Sequence, residues 1–319
     1  MTSPALLAHA VRRYGWSFIP NQVLPPLVAN ATVGAVLYTS YLQTLGTLHE
    51  PSAHAVKRVY PPPDLSTSFA AGFVAGTIQS IIAAPLDALQ VRFQANDMLN
   101  GKYKTMYHYA FQKSIEIGSR GIFAGFSLSF LKDSFGYGAF FATFEYLKSQ
   151  AFYGFVSSYY GHYGKLSQGQ QRRVDEQSSG LGRAVIRPHY MLEPTFILLA
   201  GIAASITQQA VQYPLSRVQE VHYGRLETID SATRKGKRNR LSVGLYTSAY
   251  RQTFRNCISQ ASILGGLRRW LYGGFVMGTL RQVPSTSAGL IVFEVVRRKY
   301  SNDEDAVKIR KDGYDILLP

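Results

Sequence analysis

The sequence predicts an all-α membrane protein built from tandem helix pairs, with about five transmembrane helices. Three observations carry that fold class: long stretches without charge, a helix-length segment that recurs at a fixed offset, and a composition poor in charge for a soluble chain. Of 319 residues 17% are charged, while Gly 28, Tyr 21 and Phe 18 are abundant; soluble proteins hold about 25% charged residues. The 34 Lys and Arg against 19 Asp and Glu give a formal net charge of +15. A nucleic-acid binder would gather such charge on one soluble face. Here the charge falls in connectors between apolar stretches, so no nucleic-acid partner is expected.

The elements follow in chain order. From Gly15 to Leu48 no Asp, Glu, Lys, Arg or His occurs, and about 20 apolar residues suffice for one crossing. Leu65 to Leu86 and Pro194 to Ser216 are also free of charge. A helix on the surface of a soluble protein would carry a polar stripe, and these lack one. Two more apolar stretches are interrupted, Gly121 to Lys148 by Lys132 and Asp133, and Leu271 to Arg297 by Arg281. A charge at the centre of a spanning helix costs about 2.5–3.5 kcal/mol on insertion scales, so these side chains are expected to face a water-filled interior or a partner. The connectors from Arg92 to Arg120 and from Arg217 to Arg269 are rich in Lys and Arg, whereas those from Gly46 to Asp64 and Ser149 to Glu193 are mixed. A five-crossing path puts the two basic connectors on one side, as a positive-inside bias would. The run at Arg234 to Arg240 reads as a solvated loop beside anionic head groups.

An internal repeat organises these helices. Placed at an offset of 149 residues, the stretch beginning at Ile122 lies over that beginning at Leu271: Gly125 falls on Gly274, Lys132 on Arg281, Ala139 on Ala288, Phe144 on Phe293 and Glu145 on Glu294. The helices before them repeat too. Gly72-x-x-x-Gly76 followed by Ala84-Pro85-Leu86-Asp87-x-x-Gln90 parallels Gly201-x-x-x-Ser205 followed by Tyr213-Pro214-Leu215-Ser216-x-x-Gln219. Small residues four apart let helices approach closely in lipid, and the proline bends the helix near its end. A partial copy runs from Arg13, with Gly34-Ala35 on Gly138-Ala139; it matches only the second helix of the unit, so the first repeat is expected to lack its first helix. The organisation is a partial first repeat over 1–50, a second repeat over 65–149, an inserted outer loop over 150–193, a third repeat over 194–300 and a polar tail over 301–319.

Nothing in the chain proposes an enzyme, a cofactor or a metal site. Cys257 is the sole cysteine, which excludes an intrachain disulfide framework and multi-cysteine zinc ligation. His49 and His54, the closest histidine pair, have no acidic partner at ligand spacing. The phosphate-cradling and hydrolytic motifs G-x-x-x-x-G-K-[ST], G-x-S-x-G and H-E-x-x-H are absent.

With the repeat and its motifs in place, the sequence resembles the mitochondrial carrier family. That family has three repeats, each a pair of transmembrane helices joined by a short matrix helix. Its odd helices carry P-x-[DE]-x-x-[KR] at the matrix end and its even helices [FY]-[DE]-x-x-[KR] at the intermembrane end. Pro85-Leu86-Asp87-x-x-Gln90 matches the first except in its last position, and Phe144-Glu145-x-x-Lys148 and Phe293-Glu294-x-x-Arg297 match the second in full. The resemblance implies gates at both ends of a pore. The outer one holds Glu145, Lys148, Glu294 and Arg297, with Tyr41 and Thr44 at the uncharged first-copy positions. The inner one holds Asp87 and Gln90, with Ser216 and Gln219 in the third repeat. It further implies a solute site halfway along the even helices at Lys132, Asp133, Arg281 and Gln282, and cardiolipin sites at Gly125 and Gly274. Two cations in a water-filled cavity favour a small anionic or carboxylate-bearing metabolite, and Asp133 can meet an amine. The expected function is transport of that metabolite across the mitochondrial inner membrane by alternating access. The impoverished inner gate keeps a second reading open: a carrier-fold protein of the outer membrane that does not transport and acts in assembly or membrane organisation.

Overall fold

The charge-free stretches fold as helices. The structure, a computed structural model, describes residues 24–54, 59–91, 106–178, 184–235, 243–283, 289, 307–311 and 314–318. Helix α1 spans Leu24–Leu48, with Pro25 and Pro26 in its first turn, where a missing N–H leaves no helical bond unmade. A short α2, Glu50–His54, precedes α3, Leu65–Val91, which contains Pro85. The connector helix α4, Met106–Ile122, is tied back to α3 by Tyr109, whose hydroxyl donates to the Leu89 carbonyl at 3.0 Å.

Helix α5, Phe126–Glu145, carries Lys132 and Asp133. It continues through a π-helical turn, Tyr146–Ala151, into α6, Phe152–Tyr160. Helix α7 spans Gln168–Ser178 and strand β1 Ala184–Ile186. Then α8 runs from Leu192 to Lys235, 44 residues with Pro214 inside. The expected crossing from Pro194 to Ser216 and the first part of its basic connector are therefore one helix. Helices α9, Val243–Ile263, and α10, Leu267–Leu271, are separated by Gly265 and Gly266, whose φ values of 84° and 129° lie where a side chain is strained. A helical stretch over 275–283 follows Gly274. Among the described residues two helices are long and apolar enough to cross a membrane, Leu65–Leu89 and Leu192–Leu226. Helices α1 and α5 have the length, at about 1.5 Å of rise per residue, but less apolar character. The expected crossing from Leu271 to Arg297 is described only as far as residue 283, and most of the Arg234 to Arg240 run lies outside the described residues.

The chain divides into two compact units, one of 1–40, 75–134 and 212–273, the other of 41–74, 135–211 and 274–319. In the first, α3 meets α5 closely at Gly76, where a Cβ would stand 2.6 Å from the Asp133 carbonyl oxygen, and the Thr77 and Ser134 hydroxyls bond at 2.9 Å. The small-residue face read from the sequence thus does what it is expected to do. Elsewhere in this unit Cys257, Ala261 and Trp270 form a core with Val218, Val221 and Leu271. Burial pushes the Cys257 thiol up, which leaves it a packing residue rather than a nucleophile.

In the second unit Gly72 packs against Tyr137 and Gly138, and the Tyr41 ring stacks on Phe141 with centroids 3.7 Å apart. The same unit corrects the all-α expectation. Residues Val307–Lys311 and Tyr314–Leu318 form strands β2 and β3, and with β1 they make a three-stranded sheet in the order β1-β3-β2. Strand β3 runs parallel to β1 and antiparallel to β2. Tyr314, Ile316 and Leu318 point inward onto Phe152, Val156, Tyr160, Leu166, Val174, Ala184 and Ile186. The stretch read as loop and tail therefore builds its own hydrophobic core. Its strands escape the sequence reading because alternation over five residues is too short a signal to separate from a polar tail.

Candidate functional site

Lys132 and Asp133 lie mid-way along α5, within the first unit. Their side chains form an ion pair, Nζ to Oδ1 3.5 Å, at 20% and 8% exposure. Asp87 on α3 interacts electrostatically with both residues, so one ammonium answers two carboxylates. At about 4 Å an ion pair that is worth about 1 kcal/mol in bulk water gains severalfold when water is excluded. Buried charges also need polar partners.

A second, neutral layer involves the same helices. The Gln219 amide on α8 donates to the Ser129 hydroxyl on α5 at 2.6 Å and to the Tyr223 hydroxyl at 2.7 Å. Ser129 and Tyr223 are themselves 3.2 Å apart. One turn on, His222 is fully buried, with Nδ1 3.0 Å from the Thr253 hydroxyl of α9 and Nε2 3.3 Å from the Ala124 carbonyl. Tyr250 of α9 donates to that carbonyl at 2.9 Å and receives a bond from Ser127 at 2.8 Å, while its ring stacks on His222. These groups bridge α5, α8 and α9 through uncharged hydrogen bonds. Sequence reading passed over Ser127, Ser129, His222, Tyr223, Thr253 and Tyr250. The available signal was Gln219, His222 and Tyr223 at i, i+3 and i+4, one face of a helix.

The expected gate residues part company. Gln219 bonds across to α5, whereas Ser216 donates to the Gln212 carbonyl of its own helix at 2.9 Å. In the second unit Lys148 pairs with Glu145 at 3.0 Å, and Ser149 donates to the other carboxylate oxygen at 3.3 Å. Tyr41, at the first-copy position of the acid, interacts electrostatically with Glu145. Glu294 and Arg297 lie outside the described residues, as does the side chain of Gln90. Arg281 and Gln282 belong to the second unit and are exposed; the Gln282 side chain hydrogen-bonds Gln209 of α8. Gly125 is buried beneath the Tyr223 ring, which occupies the space of a Cβ. Gly274 is exposed, with φ 85°.

Comparison with known proteins bears on the segment that holds α3 and α5. Residues 62–154 match the family model described as mitochondrial carrier protein, a segment that holds α3, α5, Asp87, Lys132, Asp133, Glu145 and Lys148. That segment is of the mitochondrial carrier type. Relatives include solute carrier family 25 member 45 of Mus musculus, 31% identical, and of Homo sapiens, 32% identical, each over 132 residues that make up 39% of this chain and 45% of the relative. The chain thus spans about half the length of the curated relatives it matches. No solved structure matches it significantly.

Proposed function

We propose that the protein is a solute carrier of the mitochondrial inner membrane, with about five crossings, that moves a small carboxylate-bearing metabolite by alternating access. The observation that carries this reading is the Lys132–Asp133 pair with Asp87 nearby, inside helices that are otherwise apolar. Lys132 offers an ammonium to a solute carboxylate, and Asp133 or Asp87 offers a carboxylate to a solute amine, so a solute with both groups restores the charge balance on arrival. Arg281 and Gln282 supply the matching positions of the third repeat. The Glu145–Lys148 pair serves as an outer gate that opens and closes by exchanging a few ion pairs, with Glu294 and Arg297 as its counterparts. At the inner end Asp87 and Gln90 hold the second-repeat gate positions, and the hydrogen bonds of Gln219 with Ser129 and Tyr223 take the place of an ion-pair ring. Gly274, which is exposed, is the place at which cardiolipin phosphate would meet the start of an even helix, whereas Gly125 is covered by Tyr223.

That neutral inner layer favours one alternative, a carrier-fold protein of the outer membrane that does not transport. Reconstitution separates the two. Purified protein in cardiolipin-containing vesicles is expected to exchange small carboxylates and amino acids, and Arg281→Ala is expected to abolish exchange while thermal stability changes by less than about 0.5 kcal/mol, as is usual for an exposed side chain. Wild-type vesicles inert to keto acids, amino acids and nucleotides would leave the non-transporting reading in place.

A further inference from the structure

The small sheet in the second unit has two faces. Its inner face is the core of Tyr314, Ile316 and Leu318. On the opposite face the register places Leu317 against Lys308, and Arg187 follows directly on β1. Helix α7, packed beside β1, adds Gln170 and Arg173, one turn apart. These residues, with Val185 and Ile186, line a cavity of about 400 Å³, within the range in which compact ligands are held.

The lining carries three cations from three separate elements and no carboxylate. Among the described residues, none of Arg173, Arg187 and Lys308 forms an ion pair. Asp315, on the same face of the sheet, stands between Val185 of β1 and Arg310 of β2 in the ladder and does not itself line the cavity. Three like charges brought together by independently folded elements repel one another unless an anion joins them. Two of the three are guanidinium groups, whose planar fork matches the oxygens of phosphate in pairs. Val185 and Leu317 supply an apolar wall beside them, so the cavity suits a phosphate group attached to a less polar body.

We propose that this cavity is a binding site for a phosphate monoester, either a soluble organophosphate or the head group of phosphatidic acid. It is distinct from the charged cluster on α5, and it does not depend on the transport reading. Amide hydrogen exchange on the full chain tests it, with AMP as the soluble probe in neutral detergent, and nanodiscs with phosphatidic acid against phosphatidylcholine alone as the lipid probe. Either AMP or phosphatidic acid should slow exchange across 184–187 and 307–311 by about tenfold or more, as expected of a ligand present well above its Kd. The effective probe identifies the source. The double variant Arg173→Gln/Arg187→Gln should lose this protection, and Arg172→Gln, exposed but outside the cavity, should keep it. Lys308→Gln repeats the test with a single change should the double variant prove less protected before any ligand is added. Protection by neither probe, protection retained in the double variant or in Lys308→Gln, or equal loss in Arg172→Gln would overturn the proposal.

Discussion

At the scale of the residue, two positions define how the first unit is held. Gly76 lets α3 lie against the backbone of α5, since a Cβ would stand 2.6 Å from the Asp133 oxygen and 3.0 Å from Ser134 Cα. Both neighbours are main chain and cannot swing aside. Gly76→Ala is therefore expected to destabilise the protein by about 1–3 kcal/mol, the usual cost of overpacking, read as a lowered thermal midpoint in detergent. An unchanged midpoint would mean that the two helices do not meet at this point. Gln219 is 5% exposed and donates to two hydroxyls. Gln219→Leu keeps much of its volume and leaves Ser129 and Tyr223 within reach of each other, so a loss of about 1–2 kcal/mol is expected, one or two hydrogen bonds' worth. If the layer is also a gate, the variant should leak solute from loaded vesicles faster than wild type.

At the scale of the element, the helices with glycines four apart and a proline near one end were legible because each has a physical mark: a missing charge, a small face or a missing N–H. Gly72 and Gly76 on α3 were read as a packing face, and both sit against α5 backbone. The ends were less legible. Pro214 was read as closing a crossing, yet α8 runs on to Lys235, because one lost backbone bond does not outweigh the packing of Val218, Val221 and Leu226 on the far side of the bend. Of the polar layer only the helix face of Gln219, His222 and Tyr223 is legible. Ser129, Tyr223 and Tyr250 come together from helices far apart in sequence, and no local spacing encodes that meeting. The sheet was missed for the opposite reason, its strands being too short to show a period. Ile316 is fully buried at its centre, and Tyr314 donates to the Tyr160 carbonyl at 2.5 Å. Ile316→Ala is expected to cost about 2–5 kcal/mol in that subdomain, seen as faster proteolysis between residues 150 and 193. Proteolysis unchanged from wild type would show that the tail does not complete this core.

At the scale of the whole molecule, a carrier-type segment is joined to a charge pattern. The matched segment supplies the fold of one repeat, and in it the Lys132 ammonium pairs with Asp133 and interacts electrostatically with Asp87. A purely structural protein gains little from such a cluster, since buried charges are costly to desolvate and often match a well-packed apolar substitute at best. The proposed transport gives the cluster a use, because a solute that carries both an amine and a carboxylate would complete it. The most direct measurement is the initial rate of exchange of the best solute by wild type and Lys132→Gln, reconstituted side by side in cardiolipin-containing vesicles. The account predicts a loss of about a hundredfold in Lys132→Gln, the effect of about 2.7 kcal/mol on a rate, with the variant still folded by its thermal midpoint. An unchanged rate in Lys132→Gln, or no exchange by wild type with any solute, would contradict it.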